Sequence, residues 1–124
     1  MKRLVMVSVV CLASLSCRKK AENVPPGEAY GCIGLVNGAE INCSELDADT
    51  TADQRIAFAT ACTSDRVKRL SGRVVRHCSG DVAASCALPA EKITQRFTKA
   101  QASDGALQGA RLGCKMRGGT FSEP

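Results

Sequence analysis

The sequence predicts an α+β fold, a small disulfide-rich domain built of two β-hairpin-plus-helix units. Three observations carry this expectation. Cysteines are spread evenly along a chain that begins with an export signal. Two stretches repeat the same order, a strand-forming run followed by an Ala-rich run, each bounded by cysteines. Large apolar side chains are scarce, with one Tyr, three Phe and no Trp in 124 residues, so packing alone yields little stability.

The export signal comes first. Met1-Lys2-Arg3 supplies a basic start, Leu4 through Leu15 an apolar run, and Ser16-Cys17 a small-residue exit before Arg18-Lys19-Lys20. This is the pattern of a secretory signal peptide over residues 1–16. The run is too short to span a bilayer as a helix, which takes about 20 residues. Ala13-Ser14-Leu15-Ser16-Cys17 resembles the lipobox of bacterial lipoproteins, with Ser14 where that family prefers Leu. The resemblance implies that Cys17 is lipidated, with acyl chains such as palmitate, and becomes the mature N-terminus. Arg18 then favours the outer membrane or cell surface, lipid-anchored. Cleavage by an ordinary signal peptidase, giving a periplasmic or secreted soluble protein, is the alternative. Anchored at Cys17, Arg18, Lys19 and Lys20 would sit beside anionic headgroups and add roughly 1 kcal/mol each. Residues 17–29 read as the lipidated N-terminus and tether, since Pro25-Pro26-Gly27 suits neither a helix interior nor a central strand. The folded domain is expected over 30–124.

Of the eight cysteines, Cys11 lies in the leader and Cys17 at the cut. Cys32, Cys43, Cys62, Cys78, Cys86 and Cys114 remain, an even set bound for an oxidising compartment, hence three disulfides. There is no C-x2-C pair and only one histidine, His77, so neither a zinc site nor a thioredoxin-type redox site is expected.

The repeat runs from Cys32 to Cys62 and from Cys86 to Cys114. An Ile-centred stretch follows the first cysteine in each: Ile41-Asn42-Cys43-Ser44 and Ile93-Thr94-Gln95-Arg96-Phe97. An Ala-rich run then ends in the second cysteine. Read as a duplication, the chain pairs Cys32–Cys62 and Cys86–Cys114 and leaves Cys43–Cys78, one of fifteen arrangements open to six cysteines. In the first Ala-rich run Thr51-Ala-Asp-Gln54 fits a capping box, with Ile56, Phe58, Ala59 and Cys62 at helical spacing. In the second, Ser103 or Asp104 can cap, and Leu107, Ala110 and Cys114 form the stripe. Gly118-Gly119 suits a left-handed helix end, and Thr120-Phe121 a short closing strand. Between the copies, Arg66–Leu70, Ser71-Gly72 and Arg73–Arg76 read as a β-hairpin turning at Ser-Gly.

Cys114-Lys-Met-Arg-Gly-Gly-Thr-Phe121 resembles the ending of a family of small cysteine-rich bacterial lipoproteins with no known activity. The resemblance rests on short motifs and implies no functional residues. After Cys62, the run Thr63–Leu70 lacks the glycines, so the first copy departs from the pattern.

Three features remain as candidates for chemistry. Arg66, Lys68, Arg69, Arg73 and Arg76 stand against one acid, Asp65, and could form a patch for anionic ligands such as glycans. The same charges also suit a solvated edge strand. From Cys17 onward the formal charge is only +3, and no aromatics interleave with the cations, so nucleic acid is not an expected partner. Asp47-Ala-Asp49-Thr-Thr51-Ala-Asp53 looks like the start of a calcium loop but has Ala52 at the glycine place and Phe58 at the final acid place. Helix capping accounts for it, and no metal or cofactor is expected. His77 could act as a general base, but no nucleophile is paired with it by pattern. The expectation is a non-catalytic cell-envelope lipoprotein, a binding or structural module partnered by the membrane and by a glycan or envelope protein. The alternative is a hydrolase inhibitor presenting Ser79–Ser85, between Cys78 and Cys86, as a rigid loop.

Overall fold

The computed structural model describes residues 23–64 and 69–124. These form an α+β domain with six strands: β1 (Gly31–Val36), β2 (Ala39–Leu46), β3 (Leu70–Val75), β4 (Val82–Leu88), β5 (Ile93–Thr98) and β6 (Thr120–Ser122). Two helices accompany them, α1 (Ala52–Cys62) and α2 (Asp104–Met116). All strand pairs are antiparallel, in the order β3-β1-β2-β5-β4-β6.

Each copy is a ββαβ unit. A hairpin forms, the helix follows, and the last strand returns to the outer side of the first, β3 beside β1 and β6 beside β4. The two units meet through β2 and β5. Cys32 lies opposite Ser44, Cys86 opposite Gln95, and Ser44 opposite Gln95. An approximate two-fold axis between Ser44 and Gln95 therefore relates the copies. Glu45 corresponds to Arg96, and buried Leu46 to buried Phe97. The apparent match of Ile41 to Ile93 is off by one. Ile41 is the extra residue of a β-bulge, skipped between the pairs Gly34–Asn42 and Leu35–Glu40, and it is exposed.

Disulfides join Cys32 to Cys62, Cys43 to Cys78 and Cys86 to Cys114, the pairs that the duplication implies. Residues directly opposite in a sheet share a face, so Cys32, Ser44, Gln95 and Cys86 all point to one side. Cys32 and Cys86 are bonded to the two helices, which puts both helices on that side. The core beneath them is small: Cys86, Leu88 and Cys114 cluster with Phe121 packed against them. Of the nine buried apolar residues described, three are half-cystines, so sulfur fills volume that aromatic rings would otherwise take.

Local chemistry sets the helix ends. Thr51 Oγ1 accepts from the Gln54 N–H while Gln54 Oε1 accepts from the Thr51 N–H, a full capping box on α1. Ser103 Oγ caps α2 through the Ala106 N–H. At the far end of α2, Gly118 takes φ 73°. The Gly119 N–H donates to Cys114 O and the Gly118 N–H to Lys115 O, a Schellman closure. Asn37 and Gly38, with φ of 51° and 79°, make the two-residue turn of the first hairpin.

Three expectations need correction. The domain starts before Tyr30: Pro26–Glu28 form a 3₁₀ turn against α1, Arg55 of α1 donates to Gly27 O, and Ala29 is fully buried. Proline at the first position of such a turn lacks only an N–H that needs no partner there. The inner stripe of α1 is Arg55, Phe58, Ala59 and Cys62, whereas Ile56 is 45% exposed. Ser71-Gly72 is not a turn. Both residues lie inside β3, Ser71 opposite Leu35 and Gly72 opposite Gly34.

Gly72 is there because of a close approach. A Cβ at that position would collide with the Cys62 carbonyl oxygen and sit 2.9 Å from Cys62 Sγ. Gly119 does the same in the second copy, where a Cβ would lie 2.8 Å from both Cys86 Sγ and Cys114 Sγ. Val74 is opposite Cys32 as Phe121 is opposite Cys86, so the two glycines occupy equivalent places. The first copy has its glycine after all, ten residues past the cysteine instead of five.

Candidate functional site

The chain must cross from β3, on one edge, to β4, second from the other edge. It does so on the side of the sheet away from the helices. Residues 76–81 form a strap across that face. A Cβ on Gly31 of β1 would meet the Cys78 backbone N at 3.2 Å, and one on Gly80 would meet Thr98 of β5 at 3.1 Å. Cys78 is bonded between these points to Cys43 of β2. The third disulfide thus pins the linker that joins the two copies.

At one end of the strap lies a pocket of about 410 Å³ bordered by Tyr30, Glu45, Asp47, His77, Thr94 and Arg96. Tyr30 is fixed by its backbone: its N–H donates to Arg76 O at 3.1 Å and its C=O accepts from the Leu46 N–H at 2.7 Å. His77 stacks on the Tyr30 ring, with centroids 5.0 Å apart. The Arg55 guanidinium lies 4.9 Å from the same ring centroid. Glu45 points to this face because its neighbour Ser44 points to the helices. Its carboxylate is 15% exposed and well engaged. Oε1 forms an ion pair with Arg96 at 3.1 Å, Oε2 accepts from the Cys78 N–H at 2.7 Å, and His77 Nδ1 is 3.6 Å away.

This arrangement holds the strap in place. A carboxylate with both oxygens taken by a guanidinium and a backbone N–H is a positioned acceptor. His77 is 66% exposed at its side chain and contacts Tyr30 and Glu45. Among the described residues no hydroxyl or thiol is hydrogen-bonded to it. The groups left to meet a ligand are the outer His77 ring, Arg96, the Thr94 hydroxyl and the exposed Asp47.

A second concavity, about 450 Å³, lies on the helix side between α2 and the central strands. Its walls are mostly small or apolar: Ile41, Phe97, Ala106, Gly109, Ala110 and Gly113.

Some of the expected site residues are described and others are not. Cys17, Arg66 and Lys68 lie outside the described residues. Arg69 precedes β3, and its carbonyl accepts from the Asn37 N–H. Arg73 pairs with Glu40 on the strap side, and Arg76 pairs with Glu28 of the 3₁₀ turn at 3.0 Å. Arg73 and Arg76 are thus matched with acids from two different elements. Ser79–Ser85 is not one loop either, because Val82–Ser85 belong to β4, a strand paired on both sides. The Asp47–Asp53 run builds the turn into α1, with Thr50 Oγ1 donating to Asp47 O. Among the described residues no group of three or more His, Cys, Asp or Glu could hold a metal. Sequence reasoning missed Tyr30, Glu45 and Arg96. Their meeting depends on the strand order, for which a single sequence carries no short-range signal.

Comparison with known proteins finds no matching family model, no matching curated protein and no matching solved structure.

Proposed function

We propose that this chain is an exported cell-envelope lipoprotein, held to the membrane by acyl chains on Cys17. Its domain acts as a non-catalytic binding module. The observation that carries the binding reading is the strap-side pocket. A disulfide and the Glu45 carboxylate hold its wall in place, so little ordering remains when a ligand arrives. The pocket offers an imidazole face, a guanidinium, a hydroxyl and a carboxylate, which suits a small polyhydroxylated or mixed-charge ligand such as an envelope saccharide. Three disulfides agree with an oxidising address.

Two measurements test this. The intact mass of the native protein is expected to show acyl chains on an N-terminal Cys17 and three bridges; an unmodified Cys17 rules out the anchor. Envelope oligosaccharides titrated against the labelled domain are expected to shift the resonances of His77, Thr94 and Arg96, with loss of the effect in Arg96→Ala. Shifts unchanged by that substitution rule out the pocket.

A further inference from the structure

We propose that the helix side of the domain lies on the bilayer, with Leu112 and Met116 of α2 and Ile56 of α1 as its lipid-contacting residues. This rests on the Cys17 anchor proposed above. Three observations point to it.

The first is the length of chain between anchor and fold. The domain is packed from the 3₁₀ turn at Pro26–Glu28 onward. Cys17 to Pro25 at full extension reaches no more than about 3.6 Å per residue, or about 30 Å. A domain of this size has a radius of gyration near 13 Å, so the anchor keeps it within about one diameter of the membrane.

The second is where the chain joins the domain. The 3₁₀ turn packs against α1, and Arg55 of α1 holds Gly27. The tether therefore arrives beside a helix, and both helices share one side of the sheet.

The third is what that side exposes. Met116 is 78% exposed, Leu112 61% and Ile56 45%; these are three of the five large apolar residues left in solvent among those described. Leu112 and Met116 stand four apart on α2, on one outer stripe, with Arg111 and Lys115 beside them. Apolar residues flanked by cations on the outer face of a helix form the pattern of an interfacial helix. Among the described residues no helix is long and apolar enough to cross a membrane. In this orientation the strap and its pocket face away from the lipid, open to a ligand.

The chain has no Trp, so one introduced Trp reports alone. The protein from Cys17 onward, with its three bridges intact, has Cys17 as its single free thiol. That thiol can be coupled to a maleimide lipid in vesicles of phosphatidylglycerol and phosphatidylethanolamine carrying brominated chains. Leu112→Trp and Met116→Trp are expected to be quenched at least about twofold more than Ala87→Trp on the strap side, because an interfacial helix sits about 5–10 Å into the lipid boundary. In the unsubstituted protein, coupling is expected to lower acylation of Lys115 by a water-soluble reagent several-fold relative to Lys99. Equal quenching at the three positions, or unchanged Lys115 labelling, overturns the orientation. Because the coupling is chemical, either result is independent of the adduct found on native Cys17.

Discussion

Glycines divide into two kinds in this protein, and substitution should separate them. Gly119 sits against Cys86 Sγ, Cys114 Sγ and Leu88, with no room for a methyl group. Gly119→Ala is expected to cost about 1–3 kcal/mol through overpacking against a disulfide that cannot move aside. Gly109, in the middle of α2, has open space where a methyl group would go, with nothing within 4 Å. Gly109→Ala should gain up to about 1 kcal/mol from helix propensity. Urea unfolding of the two variants checks both signs. Glu45 is the other residue whose removal should be felt. Glu45→Gln keeps an acceptor for the Cys78 N–H but loses the charge facing Arg96. A loss of about 1–2 kcal/mol is expected, in the range for a partly buried hydrogen bond to a charged group. A double-mutant cycle with Arg96→Gln should return most of that loss as coupling. None of this was legible from residue type. Gly72 reads as a turn glycine beside Ser71, and only the approach of Cys62 shows its real constraint.

Elements with local signals were legible, and those defined by distant partners were not. The Thr51–Gln54 capping box, the Ser103 cap and the Gly118 closure are written in four- or five-residue patterns, and each forms as read. Thr51→Ala is accordingly expected to cost about 1 kcal/mol, visible as a lower urea midpoint with an unchanged slope. β3 is different. Its residues match a hairpin, but both of its neighbours in the fold, β1 and the end of α1, lie beyond the reach of any short pattern. The strap at 76–81 likewise has no pattern of its own. It is shaped by Cys43–Cys78, by Glu45 and by the need to cross the sheet. Replacing both Cys43 and Cys78 by Ala should cost about 4 kcal/mol on the chain-entropy model for a 35-residue separation. Amide exchange should then rise first at residues 76–81, while the helix-bound bridges keep both ββαβ units closed. Uniform exchange across the molecule would mean that the strap is not an independent element.

At the scale of the molecule, duplication was legible because cysteine spacing survives where side-chain identity does not. The separations of 30 and 28 residues span the hairpin and helix of each unit, although the intervening strands align one residue away from the apparent Ile match. The two-fold relation also explains why the centre of the sheet is specific. Glu45 and Arg96 occupy equivalent places, so the two copies attract each other where two identical copies would set like charges together. The relation leaves little core, however. Buried apolar residues are mostly Ala, Leu and half-cystines, with Phe97 the one buried aromatic among the described residues. On the chain-entropy model each bridge contributes about 4 kcal/mol, so the three together rival the whole net stability of a small domain, about 5–15 kcal/mol. The bridges are also part of the packing, since Cys43, Cys86 and Cys114 are themselves core residues. Reduction therefore removes covalent constraint and leaves separate thiols in a core too thin to compensate. The reduced chain is expected to show no cooperative thermal transition and random-coil far-UV dichroism at about 25 °C, alongside six titratable thiols from the domain cysteines. A sharp transition persisting with those six thiols free would mean that apolar burial alone sustains the sheet, and that the sulfur links are dispensable to the fold.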